Sequence, residues 1–109
     1  MKEGRSPSII LRPDRDGVHK FKVSVPKASG LYSTIHFGRQ GYSDYTKHKD
    51  SQRMGRYLNR HRKRENWTRS GRYTAGFWSR WLLWSKPSFQ AALKQTEKVL
   101  GQRIIFRAK

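Results

Sequence analysis

The segment from Phe77 to Trp84 restricts the fold of this chain more than any other part of the sequence. On a helix, its apolar residues occupy most of the circumference: Phe77, Trp78, Trp81, Leu82 and Trp84. A helix that is apolar on nearly all sides is buried in a core or packed against a partner. The longest apolar run, Trp81 to Trp84, is far shorter than the ~20 residues that span a bilayer. The sequence therefore predicts an aromatic core and no membrane span.

The remainder of the chain is strongly basic. It has 25 Lys and Arg against 7 Asp and Glu in 109 residues, a formal charge of +18, and only 34% hydrophobic residues. This length predicts one small basic domain over residues 1–109. Because such a chain repels itself, we expect a polyanion or an acidic protein surface as its partner. The absence of cysteine excludes a disulfide framework, a thiolate zinc site and a cysteine nucleophile.

The first half of the chain has the alternating hydropathy of β-strands. After an N-terminal extension over residues 1–18, strands are predicted within residues 19–37, where Phe21, Val23 and Val25 alternate with polar residues. A break at residues 26–30 lets the following segment return as a hairpin partner. Residues 103–107 are also strand-like and would close the sheet.

The second half has helical periodicity and capping residues. Asp50 is predicted to cap a basic helix over residues 50–65, and Thr74 and Ser88 cap aromatic and amphipathic helices within residues 74–100. Gly101 follows the last of these at the position where glycine commonly ends a helix. The predicted fold class is therefore α+β, a small N-terminal antiparallel sheet packed with about three C-terminal helices.

The candidate binding residues are the cations of the basic helix. They are Arg53, Arg56, Arg60, Arg62, Lys63 and Arg64. Steps of three and four residues place all of them except Arg62 on one broad side of the predicted helix. Like charges at that spacing repel, so this side is expected to bind a phosphate backbone or an acidic protein surface. Charge alone does not distinguish the two.

Aromatic residues are interleaved with these cations and allow two interpretations. They include Trp67, Phe77, Trp78, Trp81 and Trp84. Stacking on unpaired bases is one use of such residues. A chain with so few aliphatic residues needs its aromatics for the core or a protein interface, which is the interpretation we favour. The sequence contains no helix-turn-helix and no pair of strand aromatics typical of RNA-binding sheets.

Histidines are the remaining candidates for chemistry. His48 with Asp50 and His61 with Glu65 are each two metal-ligand types at short spacing, and His48, Asn59 and His61 could imitate a His-Asn-His nuclease. Neither pair is accompanied by a third carboxylate or a glycine-rich phosphate loop, and the cations around His61 oppose a divalent ion. The sequence therefore predicts no enzymatic activity, no metal and no cofactor.

Several blocks between residues 20 and 90 resemble a known family. The blocks are His36–Gly38, Gly41–Thr46, His48–Asp50, Arg60–His61, Arg64–Trp67 and Thr74–Trp84. In content and order they resemble a family of small, basic, functionally uncharacterised proteins of nucleocytoplasmic large DNA viruses, including algal viruses and mimivirus relatives. The resemblance implies a viral context and brings no catalytic residues.

These observations lead to an expected role in a virus particle. The expectation is a minor capsid or cement protein that bridges capsid subunits within a large hetero-oligomeric assembly. The alternative is a nucleic-acid-binding protein, either in viral genome packaging or as a ribosomal or ribonucleoprotein component. The N-terminus lacks the apolar stretch of a signal peptide, so secretion by a classical signal is not expected. The viral context that the resemblance implies makes the virion the expected location, with assembly in the host cytoplasm or nucleus.

Overall fold

The fold, obtained as a computed structural model that describes residues 7–108, is one four-stranded sheet with helices. The strands are β1 (Ile9–Pro13), β2 (His19–Pro26), β3 (Tyr32–Arg39) and β4 (Ile104–Phe106), in the order β3-β2-β1-β4. The helices are α1 (Tyr45–His48), α2 (Ser51–His61), α3 (Ala75–Trp78) and α4 (Phe89–Leu100), with a 3₁₀ turn at Arg69–Gly71 and a π-helical segment at Ser79–Leu83. The predicted α+β architecture is confirmed.

The first strand corrects one expectation. Residues 1–18 were expected to be an N-terminal extension, but β1 is an inner strand, antiparallel to β2 and parallel to β4. Ile9 and Leu11 are fully buried because this short apolar run occupies the middle of the sheet. Residues 1–6 of the expected extension lie outside the described residues.

The core lies on one face of the sheet. Leu11 is opposite Val23, and Val23 is opposite Ile35, so buried side chains of three strands form a row. The helical half contributes Phe77, Trp78, Leu82, Leu83 and Leu100 to the same core. The alternate positions of β2 and β3, such as Lys22 and Thr34, carry polar side chains, as expected for a sheet covered on one face.

The aromatic segment approaches the sheet closely, but not as a regular helix. After one turn of α3 the chain continues as π-helix to Leu83. Gly38 in β3 has a φ of +74°, and a Cβ there would lie 2.9 Å from Leu83 Cδ1. Glycine at this position therefore allows the π-helical segment to reach the sheet. Among residues 7–108, no helix is long and apolar enough to cross a bilayer.

Capping side chains fix the helix termini where the sequence predicts them. Thr74 Oγ1 accepts from Phe77 N at 3.3 Å, and Ser88 Oγ accepts from Ala91 N at 3.1 Å. Gly101 ends α4 with a φ of +67°. Helix α4 buries one side, at Ala92, Thr96 and Leu100. The strand predicted at residues 103–107 is β4, so α4 returns the chain to the sheet.

Candidate basic binding surface

Helix α2 begins as predicted and ends early. Asp50 Oδ1 accepts from Gln52 N at 3.0 Å and from Arg53 N at 3.3 Å. These backbone donors, Arg53 first, hold the pKa of Asp50 below its usual range. The helix ends at His61, four residues before the predicted end at Glu65, because the Glu65 side chain turns back to contact His61 and Trp67.

This early end divides the predicted binding residues into two groups, which together we call the basic surface. Arg53, Arg56 and Arg60 share one side of α2, next to the side that carries the buried Tyr57. The other members, Arg62, Lys63 and Arg64, occupy the turn after the helix. The expectation that Lys63 and Arg64 continue the helical side is therefore wrong. All six side chains are nonetheless exposed, as a binding role requires.

Every acidic side chain in the described part of the chain already has an internal partner. Asp14 and Asp16 contact histidines, Asp44 contacts Lys20, Asp50 caps α2, Glu65 contacts His61 and Trp67, and Glu97 accepts from Ile104 N. Within residues 7–108 no ion pair includes a member of the basic surface. The mutual repulsion of its cations is therefore compensated only by solvent ions or by a ligand.

Stacked aromatic rings hold α2 in place. Tyr57 lies against Trp84 with ring centroids 4.3 Å apart and planes within 3°, and on its other side His61 stacks at 4.3 Å. Burial, assisted by the Glu65 carboxylate, raises the pKa of the Tyr57 phenol far above its usual range. The phenol is therefore neutral at physiological pH. The stacking of Tyr57 on Trp84, which holds α2 in place, therefore adds no charge next to the basic surface.

A second contact closes the turn that follows α2. Glu65 accepts from Trp67 Nε1 at 2.8 Å, and its other oxygen lies 2.9 Å from His61 Nδ1. A Cβ on Gly76 would lie 2.7 Å from the Glu65 carboxyl carbon, so glycine lets this carboxylate sit against α3. Glu65, which follows Arg64, therefore connects α2 to Trp67 and to α3.

The guanidinium of Arg80 is partly buried among the predicted aromatics. Its Cζ lies 4.3 Å from the ring centroid of Trp81 and 5.3 Å from that of Trp67, and its Nη1 donates to Trp84 O at 3.1 Å. Burial lowers the pKa of Arg80, although the group remains a cation at neutral pH. Two cation–π contacts offset part of its desolvation.

The five predicted aromatics therefore have structural roles. Phe77 and Trp78 are fully buried, whereas Trp67, Trp81 and Trp84 are partly buried around Arg80 and Tyr57. Trp78 Nε1 donates to Arg72 O at 2.7 Å, and Trp81 Nε1 donates to Trp67 O at 2.8 Å. Their packing inside the fold leaves no row of these rings free for stacking on bases.

A cleft of about 420 Å³ lies beside the basic surface. Arg60 of α2 lines it together with Arg39, the last residue of β3, and Tyr42 from the loop that follows. Lys20 also lines the cleft, where its Nζ lies 2.5 Å from Asp44 Oδ2. Sequence reasoning missed this pair, since only the fold brings the start of β2 to the N-cap of α1. The Lys20 charge is neutralised there, so Arg39 and Arg60 are the cations that the cleft offers to a ligand.

The two histidine pairs considered for chemistry make local contacts in the described residues. His48 Nδ1 accepts from Asp50 N at 2.9 Å, which makes it part of the connection between α1 and α2. His61 contacts Glu65 and stacks on Tyr57. Neither pair has a third ligand of the carboxylate or imidazole type close enough to share an ion in this part of the chain.

Comparison with known proteins gives one family match. Residues 9–61, which run from the start of β1 to the end of α2, match a family of unknown function, DUF5754. No curated protein and no solved structure matches the chain. The match includes Arg53, Arg56 and Arg60, whereas Arg62–Arg64 and the aromatic segment lie outside it. The matched region thus holds the helical part of the basic surface.

Proposed function

We propose that the protein is a virion structural protein of a large DNA virus, a minor capsid or cement component that bridges capsid subunits. The observation that carries this proposal is the basic surface, whose six exposed cations have no acidic partner in the described residues while the acids are engaged elsewhere. A surface built in this way favours an external anionic partner. The viral context rests on the resemblance of the central sequence blocks.

A second exposed feature supports a bridging role. The hairpin tip between β2 and β3 presents Leu31 of the turn and Tyr32, the first residue of β3, which are 67% and 46% exposed. From His19 to Pro26, strand β2 advances about 23 Å at ~3.3 Å per residue. The apolar tip and the Arg39 end of the hairpin, which borders the cleft with Arg60, are therefore far enough apart to contact different subunits.

Binding to the backbone of a nucleic-acid duplex is the alternative. The exposed arginines of α2 favour it as well, since guanidinium groups bind phosphates readily. The aromatic packing described above gives less support to single strands, whose binding depends on free stacking surfaces. The two proposals differ in what neutralises Arg56 and Arg60.

The first experiment measures salt dependence with matched charge variants. Arg56→Gln/Arg60→Gln removes two cations from the basic surface, and Arg103→Gln/Arg107→Gln removes two exposed cations at the ends of β4. If phosphates occupy the basic surface, the slope of log affinity against log salt for a generic duplex falls by up to about two in the first variant, at ~0.9 per phosphate contact. For the capsid role we expect weak binding at near-physiological salt and equal, small effects of both variants.

The second experiment follows the protein in particles. After the genome is released at near-physiological salt, we expect the protein to remain with the emptied shell. The Arg56→Gln/Arg60→Gln variant should be depleted from shells, and the Arg103→Gln/Arg107→Gln variant should be retained. Departure of the protein with the genome, from shells that stay intact, would refute the capsid proposal and support packaging.

A further inference from the structure

Two aspartates and two histidines converge at the end of the sheet where β2 begins. Asp14 and Asp16 lie in the loop after β1, His19 begins β2, and His36 lies in β3. One ligand atom from each of the four lies within 4.8 Å of all the others. Asp14, Asp16 and His19 come from the β1–β2 turn and the start of β2, and the pairing of β3 with β2 brings His36 beside them.

From this convergence we propose that the four residues form a binding site for one divalent transition-metal ion, with zinc as the best fit. Two imidazole nitrogens and two carboxylate oxygens are ligands that zinc takes in tetrahedral sites. Zinc bonds of ~2.0–2.1 Å to such ligands place them about 3.3 Å from one another. The observed separations include 2.5 Å for His36 with Asp14, 2.7 Å for His19 with Asp16 and 3.9 Å for His36 with Asp16. Side-chain adjustments of an ångström or so therefore suffice.

The burial and partners of Asp14 support an ion at this place. Its side chain is only 3% exposed, and its ion-pair partner among the described residues is an imidazole. In a chain with 25 Lys and Arg, a buried carboxylate could readily be paired with a permanent cation. Pairing with histidine instead leaves two carboxylates, Asp14 and Asp16, whose combined charge equals in magnitude that of one divalent ion.

The loop is shaped before any ion binds. Asp16 Oδ1 accepts from Val18 N and His19 N at 2.8 Å each, which fixes the carboxylate and leaves Oδ2 for the site. The His19 and His36 side chains are 36% and 44% exposed, which gives an ion a path from solvent.

Four protein ligands would fill a tetrahedral coordination sphere, so the role inferred for the ion is structural. It would tie the β1–β2 loop to β3 across β2. This inference is independent of the proposed capsid role, since the site uses no residue of the basic surface.

The test uses the untagged full chain after chelator treatment, titrated with Zn²⁺ alone by calorimetry and by thermal denaturation. We expect one Zn²⁺ per chain and a Tm that rises with Zn²⁺ concentration. His19→Gln and His36→Gln should each raise the Kd for Zn²⁺ by at least about tenfold. His48→Gln, which removes a histidine outside the cluster, should leave the Kd unchanged, and Mg²⁺ should not raise the Tm.

Several results would overturn the proposal. They are an absence of saturable binding near one equivalent, equal binding by all three histidine variants, or equal stabilisation by Mg²⁺. If either ligand variant fails to fold by circular dichroism, Co²⁺ bound to the unmodified chain decides the matter. The intense visible bands of four-coordinate Co²⁺ would support the site, and the weak bands of six-coordinate Co²⁺ would refute it.

Discussion

Replacing Trp78 by alanine should remove about half or more of the stability of this domain. The Trp78 side chain is fully buried, its ring lies 6.1 Å from that of Phe37 and 5.4 Å from that of Phe77, and its Nε1 donates to Arg72 O at 2.7 Å. Truncating a buried tryptophan typically costs about 3–5 kcal/mol. Leaving a carbonyl without its donor adds about 1–3 kcal/mol where water does not reach it. Domains have a free energy of unfolding of about 5–15 kcal/mol in total.

A second substitution separates packing from hydrogen bonding. Trp78→Phe retains most of the apolar contact but removes the donor to Arg72 O, so it should cost clearly less than Trp78→Ala. Tyr42→Ala is the matched control, because Tyr42 is a large aromatic residue that is 67% exposed. We expect the control to stay within about 0.5 kcal/mol of the unmodified chain.

The assay is urea unfolding followed by circular dichroism, with the midpoint and the m-value fitted separately. The expected order of midpoints is unmodified chain, then Trp78→Phe, then Trp78→Ala, with Tyr42→Ala close to the first. A Trp78→Ala midpoint equal to that of Tyr42→Ala would refute the assignment of Trp78 to the core.

Three other perturbations give sharp expectations. Gly55→Ala in α2, where an added Cβ meets nothing within 4 Å, should stabilise the protein by about 0.5–1 kcal/mol. Gly71→Ala should strongly destabilise it, because its Cβ would lie 2.0 Å from Asn66 O; equal midpoints in urea would contradict this. The raised pKa of Tyr57 predicts that its stabilising contribution is complete below the ordinary phenol pKa of about 10 and is lost as pH rises above it. Tyr57→Phe should therefore lose less stability than the parent between neutral and strongly alkaline pH, and identical pH profiles of Tm would contradict the burial argument.

Local patterns in the sequence predicted most of the elements. The alternation of Phe21, Val23 and Val25 correctly predicted a strand and the face of it that is buried. Two of the three side chains are fully buried, and Phe21 packs against the core. Caps at Asp50 and Ser88 were identifiable because a short polar side chain precedes a helical pattern at each. These features depend on neighbours within a few residues, which a single sequence displays directly.

Features that depend on distant contacts were missed or misjudged. The strand β1 was assigned to an extension because five residues cannot show that β4 will return beside them from the far end of the chain. The end of α2 was misplaced because Glu65, a good helix former, makes better contacts with Trp67 and His61. The cluster of Asp14, Asp16, His19 and His36 was overlooked because Asp14 and Asp16 are also typical turn residues. The sequence did contain one signal for this cluster, which is His36 on the predicted hairpin partner of the strand that begins at His19.

In this fold, the residues that stabilise the structure differ from the exposed cations of the proposed binding surface. The described acids make internal contacts, whereas Arg56 and Arg60 are exposed and form no ion pair within residues 7–108. Packing of α2 depends on Tyr57 and Trp84, which are uncharged, and not on the arginines beside them. Removing the two arginines relieves repulsion without breaking a described contact, so Arg56→Gln/Arg60→Gln should fold at least as stably as the parent. A loss of shell retention in that variant would consequently report on the interface itself and not on unfolding.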